Sequence, residues 1–503
     1  MLRRDIRLAC AVFLALALSG CATRDLSPPR QDQHREIVLS GDLTRTDHQT
    51  YRELPFNVPQ GVTRITIELS YDHDQHTVID LGLRDPAGQR GWSGGNKSCI
   101  VIGVDDATPS YRAGPILPGV WTLVLGVPNI REGVRAHFTA TVTLDGDHSW
   151  RPPSAFLDAP VSLEPGWRRG DFHMHTGHSD ASCDNDDGKR IPCPVIRTLE
   201  AAKHAGLDFI AITDHNTLTQ AEVMRELQPA FPHLLLIPGE EITTFHGHAN
   251  ALGLSSPVDF QLGSKRLPAL GKLLDEVDAQ GGLLSINHPG QPSGEDCMGC
   301  GWTVADTDYA RIAAIEAVNG GSVRAGKTEG PTSGIAFWEA RLDAGFHITA
   351  IGGSDNHDAT DWTGRRQSPV GVPTTVVWTQ DLSQRGVLAG VRSGRVFVDL
   401  APDPAHRLEV TATAGAQNVT MGGELELGPG EKAQFDATAS GAPGSRIEIV
   451  SHGLSLLDGG GTATGSATFQ LEPNAPNGWI RANVRNADGR LIMLGNPVYV
   501  RLR

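Results

Sequence analysis

Leu207-Asp208-Phe209-Ile210-Ala211-Ile212-Thr213-Asp214-His215-Asn216 is the stretch on which the reading of this chain turns. Its short apolar run has the mark of a strand buried on both faces. The residues that follow are of the kind that hold metals or move protons. The segment before it, Pro194 to Gly206, carries Val195, Leu199 and Ala202 at helical spacing and stops at a glycine. The unit recurs downstream. Leu270, Leu273, Leu274 and Val277 mark a second helix, followed by Gly281-Gly282 and a strand from Leu283 to Ile286. Ile335 to Leu342 marks a third, followed by Gly345 and a strand from His347 to Ile351. Alternating helices and buried strands over 166–402 predict a parallel sheet or an α/β barrel.

Each expected strand runs straight into ligand-type residues. Gly170-Asp171-Phe172 precedes His173-Met174-His175, and Leu234 to Ile237 precedes Gly239-Glu240-Glu241. Leu283 to Ile286 precedes Asn287-His288-Pro289, and Ile348 to Ile351 precedes Gly353-Ser354-Asp355-Asn356-His357. In α/β barrels the carboxyl ends of the strands share one face, so residues far apart in sequence can meet there. Imidazole nitrogen and carboxylate oxygen are ligands for Zn²⁺, Mn²⁺ or Fe²⁺. Residues i and i+2 of a strand point the same way, which lets His173 and His175, or Asp355 and His357, approach one ion together. Buried without cations, so many ionisable groups would be costly to desolvate. The set is too large for one ion, so two or three are expected. Clustered ions activate water and clamp the oxygens of an ester.

These motifs resemble those of the PHP (polymerase and histidinol phosphatase) superfamily. The matching pieces are Asp171 to Thr176 with Ser179-Asp180, Ile212 to Asn216, Pro238 to Glu241, Asn287-His288-Pro289 and Gly353 to His357. Glu241-Ile242-Thr243-Thr244, Gly247-His248-Ala249-Asn250, Asn319-Gly320 and Asn496-Pro497-Val498-Tyr499 look closest to its carbaryl-hydrolase-like branch. The resemblance implies a distorted (β/α)7 barrel with a metal centre. It also implies a ligand set of His173, His175, Asp180, His215, Glu241, His248, His288, Asp355 and His357. His178 and His246 are rivals of Asp180 and His248. Asp214 and Asn216 are expected to orient His215, while His204, His233 and His347 stay outside the site.

Flanking regions read differently. Residues 36–146 alternate apolar and polar residues, as in Thr63 to Leu69 and Trp121 to Leu125, between turns such as Asp85-Pro86-Ala87-Gly88. That predicts an N-terminal β-sandwich. Residues 406–503 show the same alternation and predict a small C-terminal β domain. Arg3, Arg4 and Arg7 precede the apolar run Ala9 to Leu18, which ends in Leu18-Ser19-Gly20-Cys21. This resembles a lipoprotein signal, 1–21, with Cys21 as the lipidated residue and 22–35 as a tether. Ala22 after the cysteine implies the bacterial outer membrane, facing the periplasm. Such an oxidising compartment permits disulfides, with Cys183–Cys193 and Cys297–Cys300 as the simplest pairs. A four-cysteine zinc site is the alternative. Both cysteine segments follow ligand motifs and are expected to form a lid that restricts substrate size.

The net charge of −15 argues against nucleic acid as a partner. The expected activity is hydrolysis by activated water of a small phosphoester. The alternatives are a carboxylic or carbamate ester and, in a different class, a non-catalytic envelope protein stabilised by metal.

Overall fold

A computed structural model describes residues 35–73, 75–95, 97–103, 107–146, 160–295, 297–458 and 465–503. The signal segment with Cys21, and the tether apart from Arg35, lie outside the described residues.

Arg35 to Asp145 contribute eight strands in two four-stranded antiparallel sheets. The alternation seen in the sequence drives this. Ile65, Ile67 and Leu69 on one strand, and Ile79, Leu81 and Leu83 on another, enter one apolar core with Trp121, Leu123 and Phe138. Side chains between them face outward.

The central residues do not build the expected (β/α)7 barrel. The described chain is predominantly β, with six α-helices of ten residues or fewer. Gly166–Asp171, Phe209–Ile212 and Leu235–Thr244 pair in parallel, as do Leu283–Ile286, Ala314–Asn319 and Thr349–Gly353. Between these two groups stands Gly247–Leu252, antiparallel to both neighbours. Only Phe245 and His246 separate it from Leu235–Thr244. A two-residue connection can join antiparallel strands only, because a parallel pair needs a crossover of a dozen residues or so. The alternation of strand and helix therefore breaks at that hairpin. On the other side, Gly166–Asp171 pairs with the antiparallel strand Thr374–Thr379, which pairs with Val396–Asp399.

The sheet then continues into the C-terminal residues. Leu491–Gly495 pairs with Val396–Asp399, Asn477–Arg485, Val498–Leu502 and Glu424–Leu427 follow, and Arg446–His452 pairs with Asn477–Arg485, giving fourteen strands in all. Asn496 fixes this junction. Its side-chain Oδ1 accepts from Ala350 N (2.7 Å), and its Nδ2 donates to Ala350 O (2.9 Å) and Val396 O (2.8 Å). The C-terminal strands thus brace the strand that ends at Gly353. A separate five-stranded sheet, from Gln417–Thr420 to Leu454–Asp458, packs against them through Leu408, Phe435 and Phe469.

Gly166–Asp171 and Thr349–Gly353 share no ladder, but their continuations meet. Asp355 N donates to His173 O (2.8 Å), and His175 N donates to Asn356 O (2.9 Å). These two bonds bring the first and last ligand motifs together.

Candidate metal centre

All nine residues singled out in the sequence lie in one connected cluster. Its ligand atoms fall within 4.8 Å of one another in overlapping groups: His173, His175 and Asp355; His173, Glu241 and His288; and His175, Asp180, His215 and His357. His248 and His288 form a further group with Cys300. The Cys300 sulfur is bonded to Cys297, so it is no thiolate ligand in this state.

Glu241 is the hub. Its Oε1 lies 3.2 Å from His173 Nε2, 3.4 Å from His248 Nδ1 and 3.5 Å from His288 Nε2. Its Oε2 lies 2.8 Å from His215 Nδ1 and 3.5 Å from His175 Nε2. Asp355 Oδ1 sits 3.2 Å from both His173 Nε2 and His175 Nε2. Asp180 Oδ1 faces His357 Nε2 at 3.4 Å and His215 Nε2 at 3.7 Å.

Several of these buried atoms, among them His173 Nε2, Glu241 Oε2 and His288 Nδ1, make no hydrogen bond. Donor and acceptor are close but misaligned, as lone pairs are when aimed at common points between them rather than at each other. Imidazoles and carboxylates gathered in this way fit a cluster of divalent cations.

Electrostatics agree. Burial alone would raise Glu241, but the imidazoles of His173 and His215 outweigh it and hold its carboxyl well below the usual range. Burial alone would lower His215, but the Glu241 and Asp180 carboxylates lift it to about 10. His175 is pushed down to about 4 by burial and by the neighbouring His357 and His215. The carboxylates thus draw positive charge into the cavity.

Four residues that sequence reading did not assign hold the ligands in place. Glu316 accepts from His173 Nδ1 (3.0 Å), His288 N (2.8 Å) and Asn319 Nδ2 (3.2 Å). With Nδ1 so engaged, His173 presents Nε2 to the cluster. Asn287 Nδ2 donates to Glu241 Oε1 (2.9 Å), and Asn319 Nδ2 reaches Asp355 Oδ2 (3.2 Å). Asp171 accepts from the amides of His173 (3.1 Å), Ser354 (3.0 Å) and Gly371 (2.8 Å), and burial raises its carboxyl to about 6. One signal for Glu316 was present, an acid inside the apolar strand Ala314–Asn319. Gly353 stands against this group. A Cβ there would lie 2.4 Å from His173 Cβ and 2.5 Å from Glu316 Oε1. His288 (φ 26) and Asp355 (φ 53) take left-handed backbone, which non-glycine residues adopt mainly where a site demands it.

The rivals fall away. His178 Nδ1 is bonded to Thr219 Oγ1 (2.8 Å), and His246 is exposed at the hairpin tip. His204 stacks on Trp362 and His347 on Tyr499. The expected role of Asp214 needs correction. It does not touch the His215 ring; its carboxylate accepts from Thr176 and Ser179 and so shapes the loop leading to Asp180. Thr243 Oγ1 holds His215 Nδ1 at 2.6 Å, and Asn216 in turn bonds the Thr243 backbone.

Cys183 pairs with Cys193, and Cys297 with Cys300, while Cys99 is free and exposed. No four-cysteine group forms among the described residues. Both bridges brace ligand loops. Ser182 N donates to His357 O (2.9 Å), and His248 Nε2 is bonded to Met298 O (3.2 Å).

Strand alternation separates Glu240 from Glu241. Glu241 faces the cluster, whereas Glu240 faces the opposite side, where its Oε2 accepts from Val258 N and its Oε1 has no partner. Burial pushes Glu240 up to about 8. A carboxyl raised in the fold contributes stability that is fully present below its free pKa, near 4.5, and is lost as pH climbs through 8. Glu240→Gln is therefore expected to leave Tm little changed at pH 5 and to raise it by roughly 2 °C or more at pH 9. Parallel melts at the two pH values check this, and equal shifts at both would refute it.

A cleft of about 920 Å³ lies apart from the cluster, between the N-terminal strands and residues 256–276. There Arg90 pairs with Asp85 (3.2 Å) and Arg266 with Asp259 (2.7 Å). The unpartnered lone pairs converge on the histidine cluster instead.

No family model matches the chain. An uncharacterized protein of Methanocaldococcus jannaschii is 28% identical over 156 residues, which is 30% of this chain and 82% of that protein. Among solved structures, a two-domain protein of Bacteroides vulgatus, named as containing a predicted PHP-like metal-dependent phosphoesterase, is 17% identical at a TM-score of 0.36. That match spans 71% of this chain and all of the other. A glycosylation-associated protein complex of Streptococcus agalactiae is 10% identical at a TM-score of 0.14, over 39% of this chain and 69% of the other. Identities this low assign the chain to no family.

Proposed function

We propose that this protein is a metal-dependent hydrolase acting on a small phosphoester, in the manner of the PHP superfamily. One observation carries the reading: a single buried carboxylate, Glu241, faces five imidazoles, and Asp355 and Asp180 each face two or more imidazoles of the same cluster. Two or three divalent cations held there would polarise an ester oxygen and lower the pKa of water.

The chain's own residues set the direction of approach. His173, Glu241 and His288 are almost fully enclosed, whereas Asp180 is 41% exposed and His215 and His357 about half as much. The substrate therefore meets the cluster at its Asp180 end. Asn287 and Asn319 fix the carboxylates, so little has to reorganise when charge develops on the ester. The motif resemblance supports phosphoester hydrolysis. Its nearest branch supports a carboxylic or carbamate ester. The same reading keeps Cys21 as a lipid anchor in the cell envelope and leaves nucleic acid out as a partner.

Purified protein loaded with Mn²⁺ or Zn²⁺ is expected to release nitrophenol from a phosphomonoester or phosphodiester. His288→Ala should abolish that release. Turnover of the carboxylic ester alone would shift the assignment to that class. Firmly bound metal with no turnover of any ester would favour a binding protein.

A further inference from the structure

Cys300 stands where a metal ligand would. Its sulfur and one ring nitrogen each of His248 and His288 lie within 4.8 Å of one another. All three residues are buried, and Cys300 is fully enclosed. His288 Nδ1 is one of the buried atoms that make no hydrogen bond. Cys183 and Cys193, equally buried, belong to no such group among the described residues. What keeps Cys300 from serving as a ligand is its bond to Cys297.

The loop keeps its place by bonds that do not involve sulfur. Gly299 N donates to Ser293 Oγ (3.0 Å), Trp302 N to Pro289 O (3.1 Å) and Thr303 N to His246 O (2.7 Å). Gly299, at φ 80, runs so close to the hairpin that a Cβ there would meet Thr244 O and stand 3.3 Å from His248 Nε2. Trp302 covers Gly247 in the same way and joins the central core. Opening the bridge therefore frees the Cys300 sulfur without carrying it away from the two imidazoles. The two sulfurs also differ in access. Cys297 is half-buried, so a reductant reaches it first.

We propose that His248, His288 and Cys300 form a redox-gated site for a thiophilic divalent cation such as Zn²⁺, opened when a dithiol reduces the Cys297–Cys300 bridge. This rests on the metal-centre reading above and not on which ester is cleaved. One thiolate of the dithiol bonds to Cys297 Sγ, the Cys297–Cys300 bond breaks, and Cys300 departs as thiolate beside the imidazoles. The second thiol of the reagent then displaces Cys297, which takes up a proton. The reagent leaves as its disulfide, and its two electrons stay with the two cysteines. Thiolate is the ligating form of cysteine, and two imidazoles with one thiolate are a zinc ligand set that leaves a fourth position open. A thiolate favours Zn²⁺ or Co²⁺ over the harder Mn²⁺. Reduction thus changes which cation this part of the centre prefers.

Cobalt reports the sulfur directly. Protein loaded with Co²⁺ is expected to show thiolate-to-cobalt charge-transfer absorption after treatment with a small dithiol and none before it. Cys300→Ser should lack the band in both states. Cys297→Ser, which cannot close the bridge, should show it without any reductant. By chelator competition, reduction should tighten Zn²⁺ binding about 10-fold or more in wild type, leave it unchanged in Cys300→Ser, and alter Mn²⁺ binding little. A band that survives Cys300→Ser overturns the proposal, and so does its absence from both reduced wild type and Cys297→Ser. If the protein binds Co²⁺ in both states without the band, the proposal falls alone. If it binds Co²⁺ in neither, the metal-centre reading falls and takes the proposal with it.

Discussion

Glu241→Ala is expected to strip the protein of most of its metal and to lower turnover by about 10³-fold or more, roughly 4 kcal/mol of lost transition-state stabilisation. The size follows from position. Five imidazoles face this one carboxylate, and both of its oxygens are used. Removing it leaves Asp355 and Asp180 as the carboxylates facing the imidazoles of the cluster. Cations brought together there would then repel one another with one fewer anion to offset their charge. Metal content and turnover on the same preparation check the prediction. Glu241→Gln separates charge from volume, since it keeps the shape and removes the anion. Wild-type metal content in Glu241→Ala would show that the carboxylate is no hub.

Glu316→Ala is expected to weaken metal binding by about 10- to 100-fold, although Glu316 is placed outside the ligand set. Its carboxylate sets the orientation of His173 through Nδ1 and anchors the backbone of His288. Without it, the His288 amide and the Asn319 side chain also lose an acceptor in a buried setting, each costing about 1–3 kcal/mol. A fall in Tm alone would be the mark of a merely structural group. The discriminating measurement is metal affinity of the folded fraction, by competition with a chelator. An unchanged affinity beside a lowered Tm would overturn the positioning role. Glu316→Gln should recover part of the stability but little of the affinity, because its amide cannot serve the His173 Nδ1–H and the two other donors as two oxygens do.

Much of this was legible in the chain. The N-terminal alternation reads directly as sandwich strands, because burial on one face imposes a period of two. Val195, Leu199 and Ala202 lie on the buried face of the helix Val195–His204, as their spacing requires. The nine ligand-type residues meet, because buried strands deliver whatever follows them to the sheet's end. What misled was the assumption that every strand–helix unit repeats. Thr244-Phe245-His246-Gly247 is too short for a crossover, and that local fact, present in the sequence, rules out a regular barrel at this point.

The sequence by itself determined which ligand-type residues follow which strands, since periodicity and residue type are local properties of the chain. Only the tertiary structure decided how they combine. That Glu241, already in the expected ligand set, faces five imidazoles at once follows from the packing around Leu235–Thr244. That Glu316 steadies His173 and that Asn496 ties the last strands to the one ending at Gly353 both depend on contacts between residues more than 80 positions apart. Such contacts leave no spacing rule in a single sequence, because the distance between their partners is set by the packing of sheets and not by the chain that joins them.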